Sequence, residues 1–417
     1  MYIDDVLLIV VNNAGNVAQI ACSDYTTWFL TKSGELYGCG RGDNGQQGNG
    51  STSNVTSFTK RADNVAQIAC SSYTTWYVTK SGELYGCGYG NGGQQGNGST
   101  SNVTSFTKRA DNVAQVACSD DATWYVTNSG ELYGCGYGGF NQQGNGSTSN
   151  VTSFTKRADN VAQVACSDRT TWYVTKSGEL YGCGHGGLGQ QGNGLTASVT
   201  TFAKRADNVA QIVCSNYTTW YVTKSGELYG CGDGENGQQG IDTGWRDTCV
   251  LNFTKRADNV AQVACSVETT WYITKSGELY GCGRSNFGQQ GNGSTSDVHT
   301  FTKRADNVAQ VACVINGDVV RDNSSWEAKY INATWYVTKS GELYGCGFGS
   351  AGQQGNGSAD NVTTFTKRSD NAAQIVCSSY TTWYVTKSGE LYGCGHGGGG
   401  QQGSGSASNV TTFTKRP

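Results

Sequence analysis

Short runs of apolar, β-branched and aromatic residues alternate with polar gaps along the whole chain. Between residues 54 and 101 these runs are NVTSFTKR (54–61), VAQIAC (65–70), TWYVT (75–79) and ELYGC (83–87). The gaps are rich in Gly, Ser, Asn and Asp, which favour turns, whereas the runs have the composition of strands. No segment has the apolar spacing of an amphipathic helix. The pattern therefore predicts four short antiparallel strands followed by a glycine-rich loop at 88–101.

This four-strand unit is repeated along the chain. The interval between copies of GELYGCG is 48 residues, except for 51 residues before the sixth copy and 64 before the seventh. A period of roughly 40–50 residues with four strands per unit is typical of a β-propeller. The predicted fold class is therefore all-β, a propeller with eight four-stranded blades; seven blades with an extra hairpin is the alternative. The first glycine of each copy is Gly34, Gly82, Gly130, Gly178, Gly226, Gly277, Gly341 or Gly389.

We expect residues 1–417 to form one propeller domain, with insertions at 241–252 and 314–332. An apolar run near the N-terminus, Val6–Val11, stands where each unit has its NVTSFTKR strand, and the chain ends with another such strand, Val410–Arg416. One of the two is expected to pair with the opposite end of the chain and close the ring, and the other is then surplus or extends a sheet edge. Closure removes the exposed sheet edges that promote aggregation.

Composition narrows the classes of function. The chain has 61 glycines, one proline and 11% aromatic residues, which fits many strands joined by tight turns rather than disorder. The net charge is −3, whereas proteins that bind nucleic acid usually carry a basic surface, so nucleic acid is not an expected partner. No apolar run is long enough for a membrane span. Acidic residues precede the N-terminal apolar run, where a signal peptide carries basic ones, which leaves cytoplasmic, virion-associated and non-classically secreted locations open.

The repeated pattern ACSxxTTWYVTKSGELYGCGxGxxGQQGNG resembles the regulator of chromosome condensation (RCC1) repeat over essentially the whole chain. The family's repeat contains HTxAL followed by dGxVYxWGxNxxGQLGxG, and its well-known members have seven blades. Here Thr74 stands in place of the family's histidine and Cys87 in place of its tryptophan, and GQQG replaces GQLG. The resemblance implies an RCC1-like β-propeller.

Differences between the units fall on two loops, one after the VAQIAC run and one after GCG. In an antiparallel sheet these two loops lie at the same end, so both are expected on one face of the ring. The two insertions belong to the same face. Exposed tryptophan beside arginine is typical of binding hot spots; the alternative is that each indole only anchors its own loop. The candidate binding residues are Tyr25, Tyr73, Arg169, Tyr217 and Tyr380 in the repeats, and Trp245, Arg246, Arg321 and Trp326 in the insertions.

Sixteen of the 17 cysteines occur as two per repeat, at the positions of Cys70 and Cys87. One strand separates the two positions, so a distance of about 9–10 Å is expected between them, beyond the roughly 7 Å limit for a disulfide. We therefore predict that they pack as small buried thiols. Cys249, in the first insertion, has no counterpart in the repeat and is the candidate for an exposed or intermolecular thiol.

Neither metal binding nor catalysis is indicated by the sequence. There is no CxxC motif, the three histidines stand alone, and no Ser-His-Asp or paired-carboxylate set stands out, so no metal, no cofactor and no enzymatic activity are expected. Asn-x-Ser/Thr sequons are frequent; the alternative to their use is that copying one unit multiplied chance sequons. The candidate glycosylation sites are Asn49, Asn54, Asn97, Asn102, Asn323 and Asn332.

The sequence thus favours a non-catalytic scaffold that presents the variable loops to a protein or glycan partner. A structural component of an extracellular assembly or virion, self-assembled or docked through the uniform opposite face, is the second hypothesis. The resemblance also implies nucleotide exchange on a small GTPase together with chromatin binding. The acidic balance, the missing basic N-terminal tail and the lack of a wedge-like insertion disfavour that third function.

Overall fold

The computed structural model describes residues 2–3, 6–7, 16–241, 249–314, 319–321, 328–330 and 332–417. Every regular element in these ranges is a β-strand, and eight four-stranded antiparallel sheets follow one another along the chain as the blades of a ring. No helix in the described ranges has the length and apolarity to span a membrane. The prediction of an eight-bladed all-β propeller is confirmed, and the seven-bladed alternative is wrong.

Each blade consists of four consecutive strands of the repeat, in the order VAQIAC, TTWYVT, LYGCG and VTSFTKRA. Blades 1 to 4 contain β3 Val17–Cys22, β4 Thr26–Thr31, β5 Leu36–Gly40, β6 Val55–Ala62; β7 Val65–Cys70, β8 Thr74–Thr79, β9 Leu84–Gly88, β10 Val103–Ala110; β11 Val113–Cys118, β12 Ala122–Thr127, β13 Leu132–Gly136, β14 Val151–Ala158; and β15 Val161–Cys166, β16 Thr170–Thr175, β17 Leu180–Gly184, β18 Val199–Ala206.

Blades 5 to 8 continue the same order, and blade 7 carries an extra hairpin in the loop after its first strand. They contain β19 Val209–Cys214, β20 Thr218–Thr223, β21 Leu228–Asp233, β22 Cys249–Ala257; β23 Val260–Cys265, β24 Thr269–Thr274, β25 Leu279–Gly283, β26 Val298–Ala305; β27 Val308–Cys313, β30 Ala333–Thr338, β31 Leu343–Gly347, β32 Val362–Ser369; and β33 Ala372–Cys377, β34 Thr381–Thr386, β35 Leu391–Gly395, β36 Val410–Arg416. The hairpin in blade 7 is β28 Val319–Arg321 with β29 Ala328–Tyr330, and β1 Tyr2–Ile3 pairs with β2 Val6–Leu7 ahead of blade 1.

The first strand of each blade lies innermost, and the fourth lies outermost. First strands of neighbouring blades contact each other around the ring, and β3 of blade 1 contacts β33 of blade 8. Within the first strand, side chains such as Ala66 remain exposed toward the central channel while their neighbours are buried. The fourth strand is mostly exposed or half-buried, which fits its Ser-, Thr- and Lys-rich sequence.

The hydrophobic core is divided among the seams between neighbouring blades. At the seam between blades 2 and 3, Trp76 and Leu84 pack against Val116 and Tyr125. The seam between blades 8 and 1 repeats this arrangement with Trp383 of blade 8, so the two ends of the propeller close the ring through the same apolar contact. Each fully buried tryptophan of the repeat thus serves blade packing.

Ring closure differs from the expectation based on the chain ends. The C-terminal strand β36 pairs with β35 of its own blade, and the described part of the N-terminal run, Val6–Leu7, pairs with Tyr2–Ile3. No terminal strand crosses to the opposite end of the chain within the described residues. The predicted exchange is wrong because the VTSFTKR run completes the preceding blade as its fourth strand, so eight complete blades need no borrowed strand.

Candidate ligand-binding face

Two loops of every blade lie at the same end of the ring. One connects the first and second strands, as at 71–73, and the other connects the third and fourth, as at 89–102. We call this end the loop face. The opposite end, formed by the turns between the second and third strands and between neighbouring blades, is the turn face. Most of the sequence variation between units falls on the loop face, whereas the turn face differs at few positions, such as Asn128 in place of the repeat lysine in blade 3.

On blades 1 and 2 the loop face carries a row of three tyrosines and one arginine. The ring of Tyr73 lies 6.1 Å from that of Tyr25 and 5.9 Å from that of Tyr89 (centroid distances). The guanidinium of Arg41 lies 4.9 Å from the centroid of the Tyr25 ring. All four side chains are half-buried, so they present aromatic surface to solvent while their neighbours hold their orientation.

A second group spans blades 3 to 5 and is centred on Arg169. Its guanidinium carbon lies 5.1 Å from the Phe140 ring and 5.0 Å from the Tyr217 ring, as in cation–π stacking. His185 lies 5.7 Å from Phe140 and its Nδ1 is 2.8 Å from Nε2 of Gln190. Burial and the charge of Arg169 lower the pKa of His185, which favours the neutral imidazole.

The structure brings the predicted residues of the repeats into these groups. Tyr25 and Tyr73 contact each other, Arg169 contacts Tyr217, and Tyr380 lies 5.8 Å from His396 on blade 8. The comparison of units in the sequence did not identify Phe140 as a candidate binding residue. Only its position in a variable loop pointed to it. Trp245, Arg246, Trp326 and Asn323 lie outside the described residues, and of Arg321 only the backbone, in β28, is described.

Blade 6 replaces the tyrosine of this loop by Glu268, which forms a buried ion pair that the sequence did not predict. Nη1 of Arg284 lies 2.6 Å from Oε1 of Glu268, and the Glu268 side chain is 3% exposed. Burial outweighs the attraction of Arg284 and raises the pKa of Glu268 to about 7. At this loop position blade 6 therefore has a buried ion pair, where blades 1 and 2 present aromatic surface.

Polar side chains link blades 2 to 5, and blade 8 to blade 1, at the inner ends of the loop face. The backbone N–H of Ser72 donates to Oδ1 of Asp120 (2.8 Å), and the N–H of Asp120 donates to Asp168 (3.2 Å). The N–H of Asp168 donates to Asn216 and that of Ser379 to Asp24. Burial, and then the neighbouring carboxylate Asp168, raise the pKa of Asp120 well above its usual range. These acids join blades through backbone hydrogen bonds, which assigns them a structural role.

Fifteen of the sixteen repeat cysteines are buried, as predicted, and Cys377 is half-buried. The Cys87 thiol donates to the backbone oxygen of Gln46 in the preceding blade at 3.5 Å, and burial raises its pKa well above the usual range. Each of the 17 cysteines lies in the described ranges, and none is in a disulfide. Cys249 is half-buried at the start of β22, opposite Asp233.

The sequon asparagines of the repeat have structural roles of their own. Oδ1 of Asn49 accepts a hydrogen bond from the N–H of Ser51, and Oδ1 of Asn54 accepts one from Gly42. Asn97 and Asn102 do the same in blade 2, and all four residues are exposed. Their use as glycosylation sites stays a prediction. Asn332 is 1% exposed, so a glycan there requires its loop to open.

On the turn face, the lysines of the fourth strands, which we call the outer lysines, are paired with carboxylates. In blade 2, Nζ of Lys108 lies 2.6 Å from both Glu83 and Asp111, and blades 1 and 3 to 6 repeat this arrangement. Across the described residues, no group of three His, Cys, Asp or Glu side chains is placed to hold a metal ion. The variable chemistry of the chain is thus concentrated on the loop face.

Comparison with known proteins agrees with this architecture. Models of the regulator of chromosome condensation (RCC1) repeat match residues 17–46, 209–238 and 260–289, and in a second version residues 33–78. No curated protein sequence matches the chain significantly.

Three solved structures illustrate the similarity of fold. Prp20p from Saccharomyces cerevisiae is similar with a TM-score of 0.61 and 16% identity, over 94% of this chain and 87% of that one. Yeast RCC1 (Prp20) bound to Kap60 is similar with a TM-score of 0.59 and 15% identity, over 100% of this chain and 88% of that one. Human WBSCR16 is similar with a TM-score of 0.60 and 20% identity, over 72% of this chain and 85% of that one. The chain is therefore an eight-bladed β-propeller with an RCC1-like fold, and parts of four of its blades match models of the regulator of chromosome condensation repeat.

Proposed function

We propose that this chain is a non-catalytic scaffold that binds a protein or glycan partner on its loop face. The observation that carries the proposal is the continuous row of Arg41, Tyr25, Tyr73 and Tyr89 across blades 1 and 2. Tyrosine and arginine are the residues most enriched at binding hot spots. Half-buried rings held by their neighbours lose little conformational entropy when a partner binds.

The contrast between the two faces supports the same assignment. The outer lysines of the turn face are neutralised by carboxylates of their own blade, as Lys108 is by Glu83 and Asp111. On the loop face, Arg169 stacks on Phe140 and Tyr217 instead. Aromatic rings suit a protein side chain or the apolar face of a sugar equally well, so the proposal keeps both classes of partner.

Two solved propellers of similar fold are described with protein partners, which supports the proposal. Prp20p is described with binding properties to Gsp1p and histones, and yeast RCC1 was crystallised with Kap60. At 15–16% identity these structures support the use of the fold as a platform, and the partner of the present chain is left to experiment.

The test compares a loop-face variant with a matched turn-face variant. The loop-face variant, Tyr25→Ala/Tyr73→Ala/Arg169→Ala, interrupts the tyrosine row and removes the stacked guanidinium. The turn-face variant, Lys60→Ala/Lys108→Ala/Lys156→Ala, removes three lysine side chains from the opposite face. The purified proteins are applied to a glycan array, and partners from cell extract are quantified by mass spectrometry. We expect a partner retained by the wild type and the turn-face variant and lost, at least tenfold, by the loop-face variant. Partners lost equally by both variants, at unchanged thermal unfolding midpoints, contradict the proposal.

A further inference from the structure

A second set of lysines surrounds the central channel on the turn face. These inner lysines occupy the turn between the second and third strands of every blade except blade 3, which has Asn128 there. Six of them donate through Nζ to the backbone oxygen of a serine in the preceding blade, as Lys224 does to Ser177 at 3.0 Å. The inner lysines are Lys32, Lys80, Lys176, Lys224, Lys275, Lys339 and Lys387.

The inner lysines differ from the outer lysines in their charge balance. Outer lysines such as Lys108 lie between two carboxylates. In the described part of the chain, no carboxylate lies within ion-pairing distance of any inner lysine. An ammonium group has three donors, so each inner lysine that donates to a serine oxygen keeps two donors and its full charge for another acceptor.

Three inner lysines border a cavity of about 650 Å³ at the channel ends of blades 4, 5 and 6. Lys176, Lys224 and Lys275 lie at its rim, and apolar side chains such as Ala210 and Val222 form its wall. A low-dielectric wall beside cationic groups strengthens their attraction for an anion.

The amide nitrogen of Gln211 in the same cavity has no hydrogen-bond partner among the described residues. In the equivalent position of blade 2, Nε2 of Gln67 donates to the backbone oxygen of Val116 in the next blade at 3.2 Å, and blades 1, 3, 6 and 7 repeat this bond. Gln211 of blade 5 lines the cavity and is 8% exposed, yet its Nε2 has no partner among the described residues. A buried donor without an acceptor is costly, and an acceptor supplied by a ligand removes that cost.

We propose that this cavity binds a multivalent oxyanion, with Lys176, Lys224 and Lys275 as charged donors and Gln211 as a neutral donor. The donors suit phosphoryl and carboxylate oxygens alike, so the class of ligand is a compact anion that carries several such groups. The site lies on the turn face and acts independently of partner binding on the loop face.

The test uses pyrophosphate and citrate as probes of the two kinds of oxyanion. Each is titrated calorimetrically into the full chain at low ionic strength, about 20 mM salt, where screening is weak. The cavity variant is Lys176→Gln/Lys224→Gln/Lys275→Gln. The control variant, Lys32→Gln/Lys80→Gln/Lys387→Gln, removes the same net charge from the same ring but spares the cavity.

We expect saturable binding of at least one probe to the wild type, an affinity at least tenfold lower for the cavity variant, and a change below threefold for the control. Gln211→Leu is expected to weaken binding several-fold without lowering the thermal unfolding midpoint. A preference for pyrophosphate or citrate assigns the ligand to phosphoryl or carboxylate compounds. Equal weakening by both triple variants, or no saturable binding of either probe, overturns the proposal.

Discussion

The indole of Trp76 covers Gly86 on the adjacent strand. The two residues are direct cross-strand partners, and a Cβ built on Gly86 would lie 2.5 Å from Cε3 of Trp76. The same pair recurs in every blade, as Trp28 with Gly38 or Trp383 with Gly393. The glycine of LYGCG is therefore required by close approach of an aromatic ring, and the ring in turn fills the seam to the next blade.

Gly86→Ala is expected to lower the free energy of unfolding by about 1–3 kcal/mol, because the added methyl group overpacks the seam. Urea denaturation measures the change. In the double variant Trp76→Phe/Gly86→Ala the smaller ring leaves room, so the two effects should be less than additive. The matched control is Gly92→Ala, where the nearest atom is Oε1 of Gln94 at 3.1 Å. Equal stability of Gly86→Ala and wild type would refute the packing argument.

Gln67→Leu and Gln211→Leu are expected to differ although they occupy the same position of the repeat. Gln67→Leu removes a buried hydrogen bond between blades and should lower the free energy of unfolding by about 1–2 kcal/mol. Gln211→Leu removes no such bond among the described residues and should cost less or stabilise the protein. Urea denaturation of both variants under identical conditions measures this difference. A larger loss for Gln211→Leu would contradict the described role of Gln211.

Stability is expected to depend on pH through Glu268. Burial raises its folded pKa to about 7, above the unfolded value of about 4.3. The folded state therefore binds more protons between these two values, and this contribution to stability is present below about pH 4 and lost as the pH rises toward 7.

Glu268→Gln removes this titration while it retains an acceptor for Arg284. The free energy of unfolding of the variant relative to wild type should rise with pH by roughly 2–3 kcal/mol between about pH 4.5 and 7.5, and stay level above that range. Denaturant titrations at a series of pH values give the difference. A difference that does not vary with pH would show that the folded carboxyl titrates in its ordinary range.

Thiol reactivity should separate Cys249 from the repeat cysteines. Reaction requires the thiolate and access, and burial keeps Cys87 and its equivalents protonated and enclosed. Cys249 and Cys377 are half-buried, so maleimide labelling of the native protein followed by mass spectrometry should show at most two early additions. Cys249→Ser should lose one of them. Fast labelling of many cysteines without denaturant would mean that the seams open readily.

Much of this architecture was predictable from the sequence alone. The strand runs, the turn residues and the constant spacing of GELYGCG specify a blade, because β-branched and aromatic residues favour strands and Gly, Asn and Ser favour turns. The sequence also predicted that both variable loops lie on one face, because that conclusion requires only that the four strands of a blade are antiparallel. Burial of fifteen of the sixteen repeat cysteines followed from the same pattern.

Only the tertiary structure decided where each blade begins. A periodic sequence carries no mark of the boundary between units, so the VTSFTKR run was assigned to the following blade, whereas hydrogen bonding to LYGCG places it outermost in the preceding one. Likewise, the approach of Arg284 to Glu268 and the missing partner of Gln211 Nε2 depend on contacts that the repeat pattern does not show. Local preferences determined the strands, and closure of the ring determined which side chains of different blades meet.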